Sequence, residues 1–209
     1  MQQVKLENPT AQTEEFPRSL DIATVMVYGL AILSGGLFLF LPLVNLIHPS
    51  PWQRSLGMIH GVGAMMATIV TMYAGHLAFP LLRGSAKILP QMRSLTFWSA
   101  VITFLSIATG NLAYMRYRAG ADFGGARPWL IDNSPLTHYV YMEYHEFSVL
   151  STLPLAVGSA WVLWRYGDKI VDKSNRPVLA GVSIAVMAMM FYAMGGFVTG
   201  LAVAKTHAL

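Results

Sequence analysis

Five stretches of this chain carry no formal charge: 22–53, 55–82, 94–115, 147–164 and 177–204. A helix needs about 20 apolar residues, with a range of about 17–25, to cross the hydrocarbon of a bilayer. The charge-free runs therefore predict five spans, at about 22–47, 55–82, 94–115, 137–164 and 177–204, within one transmembrane domain over 22–209. Charged residues make up 11% of the chain, against about 25% in a soluble domain, which excludes a solvated globule. Only helices and closed barrels satisfy every backbone group in lipid. Barrel strands alternate in polarity, and these runs do not. The fold class is an all-α membrane bundle behind a polar tail over 1–21.

That tail carries Glu7, Glu14 and Glu15. It lacks the basic-then-apolar order of a signal peptide. With no cysteine in the chain, disulfides, thiolate metal sites and iron–sulfur ligation by this chain are excluded. The net charge of +4 is no signal for nucleic acid, because the basic residues mark loops. No internal repeat is evident.

Orientation follows from the Lys and Arg of each side. The side of the tail, here side A, holds Lys5, Arg18, Arg83, Lys87, Arg93, Arg165, Lys169, Lys173 and Arg176. Side B holds Arg54, Arg116, Arg118, Arg127 and Lys205. The bias predicts a cytoplasmic N-terminus and an external C-terminus, in a bacterial inner membrane or its equivalent. The longest connection, 116–135, reads as a structured cap on side B.

The histidines carry the chemistry. His60 lies about two turns into the second span from side B, and His145 two to three turns into the fourth, so at about 1.5 Å per residue they share a depth. His138 stands seven residues before His145, about 20° short of two full α-helical turns, and is expected on the same face. His76 falls near side A, about 160° around the helix from His60, with no histidine partner there. His48 and His207 read as plain interfacial residues. Glu143 and Glu146 flank His145 in YMEYHEF. Ionisable groups at membrane depth are expensive and usually serve function. Small residues surround both histidines: Gly57, Gly61 and Ala64 about His60, and Ser148, Thr152 and Ala156 about His145. The third and fifth spans add Ser106, Gly110, Gly196 and Gly200. Such stripes let helices pack closely, and beside a histidine they also leave room for a flat cofactor.

In this architecture the chain resembles the transmembrane b-type cytochromes, which hold haem between histidines of two helices. The resemblance implies His60 and His145 as axial ligands of one haem b, with His138 and His76 as alternates. It implies that Arg116, Arg118 and Arg127 pair with the haem propionates, while Gly57 and Gly61 make room for the ring. Glu143 or Glu146 would orient a ligand imidazole or take a proton. Many members of that class stack two haems across the bilayer, and here the inner half offers only His76. The function implied is electron transfer between the quinone pool and a partner redox subunit, or within a homo-oligomer. That makes the chain an electron-transfer subunit of an oxidoreductase more than an enzyme by itself.

Two other classes stand beside that reading. His60, His138, Glu143, His145 and Glu146 together suit a non-haem iron, copper or zinc ion, as in a metal-dependent enzyme or transporter. The third class is an assembly or scaffold subunit whose polar residues only join helices. Thirteen methionines invite a copper site, but they sit at ordinary helix spacing as flexible apolar filler.

Overall fold

The computed structural model describes residues 52–207 and six earlier positions, Val25, Tyr28, Gly29, Ile32, Leu33 and Gly36, all helical. The rest of the predicted first span, 22–47, and His48 lie outside the described residues. Among those described, four helices are long and apolar enough to cross a membrane. They are α1 (Trp52–Leu82), α2 (Leu89–Arg118), α4 (Glu143–Tyr166) and α5 (Arg176–Thr206). A short helix α3 (Ala126–Asn133) and a π-helical segment (Thr137–Met142) occupy the long connection on side B.

The ends obey local chemistry. α1 stops at Gly84, whose φ of +86° is a left-handed conformation that glycine adopts without a Cβ penalty. Its N–H donates back to Leu81 O at 2.8 Å. α4 also ends at a glycine of positive φ, Gly167 at +57°, though its ψ of −140° is not left-handed helical. α2 and α5 each begin with proline in the first turn, where the missing N–H costs no helical bond.

The four long helices run alternately up and down, joined in sequence by short turns on side A and the capped connection on side B. α1 packs on α2 and α5, and α4 packs on α2 and α5. The arrangement is a square in which α1 stands diagonal to α4. Its side-A half is filled by a core that includes Leu81, Leu89, Met92, Leu163, Ile170, Leu179 and Met189. Ala74, Ala78, Ala100 and Ala156 let the backbones approach there. At the side-B end Tyr117, Met142 and Val203 pack with Ala126 and Leu130 of α3, so the connection is indeed a folded cap. Arg93 ties α2 to the end of α4 on side A, through Leu163 O at 3.1 Å and the Asp168 carboxylate at 2.8 Å.

Candidate functional site

Between the side-A core and the cap lies a cavity of about 1000 Å³, at the upper end of the range of ligand pockets. His60 and His145 both line it. They reach in from the two diagonal helices, and their ring centroids stand 6.1 Å apart with planes at 85°.

Each ring is held from the neighbouring helix by the same device. His60 Nδ1 lies 2.8 Å from Ser106 O on α2, and His145 Nδ1 lies 2.7 Å from Gly196 O on α5. A carbonyl only accepts, so Nδ1 carries the proton in both and Nε2 is left with its lone pair. One turn along each neighbour is a glycine on which the ring lies. A Cβ at Gly110 would come within 2.7 Å of His60 Cε1, and one at Gly200 within 2.7 Å of His145 Cε1. Thr109 and Thr199 also donate to those two carbonyls, at 3.0 and 3.2 Å.

The two hairpins, α1–α2 and α4–α5, are therefore two versions of one unit. The seats read SIATG (106–110) and GFVTG (196–200). This corrects the expectation of no internal repeat. It escaped the sequence because the repeated elements are carbonyls and small residues spread along interchangeable apolar letters.

Other expected residues divide. Gly57, Gly61, Arg118 and Glu146 line the cavity, whereas Arg116, Arg127 and Glu143 are not among its lining residues. Arg127 lies on α3, within electrostatic reach of Tyr117 and His138. Glu143 is exposed. Main-chain carbonyls, and not Glu143 or Glu146, hold Nδ1 of His60 and of His145. Glu146 accepts instead from Tyr114 Oη at 2.6 Å.

His138 and His145 do not share a face. The π-helical segment closes its turns i→i+5 and advances less per residue than an α-helix, so the α-helical angle count fails across it. His138 is buried and hydrogen-bonded to Tyr117 Oη at 2.6 Å, on the α2 side, whereas His145 turns to α5. His76 is exposed on α1. His207 lies beside Trp129, ring centroids 4.7 Å apart and planes tilted by 46°.

Tyr114, Tyr117 and Asn111 were missed in the sequence, although all three line the cavity from α2. Their spacing at 111, 114 and 117 on the face that carries Gly110 was the available signal. Among the described residues no group of three or more His, Cys, Asp or Glu is gathered to hold a metal ion.

The residues present fit a haem. The two rings line one cavity with centroids 6.1 Å apart, close enough for both to bind one metal at about 2.0 Å. Both imidazoles have the proton on the distal nitrogen, fixed by a carbonyl, as metal-ligating histidines do. A Cβ on Gly57 or Gly61, both of which line the cavity, meets nothing within 4 Å, so the cavity is open on that side. No protein-family model, curated protein or solved structure matches the chain.

Proposed function

We propose that this protein is a membrane-embedded haem-b electron-transfer protein. It exchanges electrons between the quinone pool and a partner subunit or a second copy. The observation that carries the reading is the pair of carbonyl-locked imidazoles on diagonal helices, 6.1 Å apart across a cavity. When bound, haem supplies a one-electron iron couple within the bilayer. The chain's own part is to hold two neutral imidazoles in fixed tautomers, to keep a slot open between them with glycines, and to offer Arg118 to an anionic edge. The side-A core excludes water from below. Burial of the ligands in an apolar shell sets how readily the couple takes an electron.

The dispersed carboxylates favour haem over a non-haem ion. Glu143 is exposed and Glu146 is engaged by Tyr114, so neither joins the histidines in a compact donor set. One haem fits better than two, since His76 faces outward. The fifth span over 22–47, with the N-terminus in the cytoplasm, belongs to this proposal. A reporter fused after Leu209 is then exported, and one inserted at Lys169 stays inside; the reverse pattern would invert it.

The deciding experiment is the absorption spectrum of the purified protein loaded with haem. Wild type is expected to give a sharp Soret band and a reduced α-band. His60→Ala and His145→Ala each lose the six-coordinate spectrum, whereas His76→Ala and His207→Ala keep it. A normal spectrum in either of the first two variants sinks the assignment. A colourless wild type that binds zinc, copper or iron favours the non-haem reading, and one that binds none favours the scaffold.

A further inference from the structure

α1 carries a strip of residues on its outer face that stands apart from the cavity. Met72, His76, Phe79 and Arg83 follow one another at i, i+4, i+7 and i+11, within about 60° around the helix. All four are exposed, and none lines the cavity. α1 runs towards side A, so Arg83 marks the surface end and Met72 lies about 16 Å deeper. Met72 and Phe79 suit a hydrocarbon surround. The two polar members need partners that hydrocarbon does not supply. Neither Arg83 nor His76 has a hydrogen-bond or carboxylate partner among the described residues.

Arg83 points the wrong way for a residue that only marks topology. A basic side chain at the end of a span normally extends towards water. Arg83 folds back instead, and its guanidinium lies 4.4 Å from the centroid of the Phe79 ring, one turn nearer the hydrocarbon. Phe79 is three residues from His76, about 4.5 Å along the axis. A second guanidinium reaches the same helix end from α5. Arg176 Nη1 donates to Leu82 O at 3.4 Å and lies 3.6 Å from where a Cβ on Gly84 would be. A helix C-terminus attracts cations, which accounts for Arg176 on that carbonyl but not for Arg83, turned away from it. Nothing local offsets the two charges. The stretch 22–121 contains no acidic residue. On the α4–α5 turn, Asp168 is held by Arg93, and Asp172 makes no ion pair with Arg176.

We propose that this strip, together with Arg176, binds one anionic glycerophospholipid of the side-A leaflet. Its phosphate is shared by Arg83 and Arg176, whose planar donor forks match phosphate oxygens. An ester carbonyl below the phosphate accepts from His76, and an acyl chain runs down over Phe79 to Met72. The order of the strip, cation then imidazole then apolar chain, is the order of a lipid from phosphate through ester to hydrocarbon. Basic groups at the ends of neighbouring spans are a recurrent means of holding such headgroups. A soluble acidic partner would find Arg83 folded away from water, and a second helix would have no use for an imidazole at ester depth. The site shares no residue with the cavity, so it stands independently of the haem reading.

The test is native mass spectrometry of the full chain, delipidated in detergent and titrated with phosphatidylglycerol or with phosphatidylcholine of the same chains. Wild type is expected to take up one phosphatidylglycerol about tenfold more tightly than phosphatidylcholine. Arg83→Ala removes that preference, and Arg83→Lys, which keeps the charge but not the fork, weakens it. Arg176→Ala acts in the same direction; should loss of its bond to Leu82 O unfold the chain, the two Arg83 variants decide alone. Lys87→Ala is the control, an exposed cation on the same turn outside the strip, and leaves the preference intact. A loss in Lys87→Ala equal to that in Arg83→Ala means diffuse attraction to the surface and overturns the site. Inorganic phosphate or glycerol phosphate that displaces the lipid at equal concentration makes the ligand a free anion and overturns it too. The ester contact has its own readout. Wild type should bind diester phosphatidylglycerol about fivefold more tightly than the diether analogue, and His76→Ala should bind both alike. Equal binding of the two by wild type overturns a lipid standing in this register.

Discussion

The hairpins α1–α2 and α4–α5 hold their histidines alike and treat everything around them differently. In each, a ring from the first helix bonds a carbonyl of the second and lies on a glycine one turn away. Beyond that common seat, α2 supplies Asn111, Tyr114 and Tyr117 where α5 supplies Leu201, Ala204 and His207. The equal part fixes two ligands in equivalent geometry. The unequal part gives the cavity a wet wall and an oily one. Pseudo-symmetry here serves holding, and its breakdown serves direction.

The equal part is the easier to break. Gly110→Leu and Gly200→Leu each drive a side chain into an imidazole that already sits where a Cβ would be. Both should abolish haem uptake and cost about 3 kcal/mol in thermal or denaturant unfolding, the upper end of overpacking. The comparison predicts matched losses. If one variant keeps full haem content, the two seats are not equivalent and the repeat is only superficial.

The unequal part responds more gently. Tyr114→Phe removes the one hydrogen bond observed for Glu146 and leaves a half-buried carboxylate without its partner, at about 1–3 kcal/mol. It should lower stability while the bis-histidine spectrum survives. Complete loss of the spectrum in Tyr114→Phe would mean that the polar wall, and not the seats alone, holds the cofactor.

Gly61→Leu should have the smallest effect on stability, within about 0.5 kcal/mol, because its side chain enters open space and creates no overlap. Haem content should nonetheless fall, since the slot is then partly filled. A large destabilisation with unchanged haem would show the space beside Gly61 to be closed in the membrane. Only the stability half of this outcome contrasts with Gly110→Leu, which makes the pair a direct measure of which glycines are seats and which are space.

Much of this arrangement was readable before any coordinates. The absence of charge over 55–82 and 177–204 located α1 and α5 to within a few residues, because hydrocarbon excludes charge whatever the packing. Alternating topology alone put His60 and His145 at one depth. What failed shares one cause, that backbone geometry has no letter. The orienting atoms are the carbonyls of Ser106 and Gly196, which every residue carries, whereas Glu143 and Glu146 show their charge in the sequence. The π-helical stretch Thr137–Met142 shifts the phase of a helix without any Pro or Gly to announce it, and His138 went to the wrong face. Gly57 and Gly110 look alike in sequence, yet one borders a gap and the other bears a ring.

A seat made of main chain also changes how such a protein drifts. Any residue that keeps the helix keeps the carbonyl, and the two seats already differ there, serine in one and glycine in the other. Selection can act on the histidine and on the glycine one turn beyond the carbonyl, which sits on the adjoining helix. Between them the apolar letters are free to exchange. Descendants of such a chain would diverge almost everywhere and still bind alike, tied by a histidine and a glycine that never stand side by side.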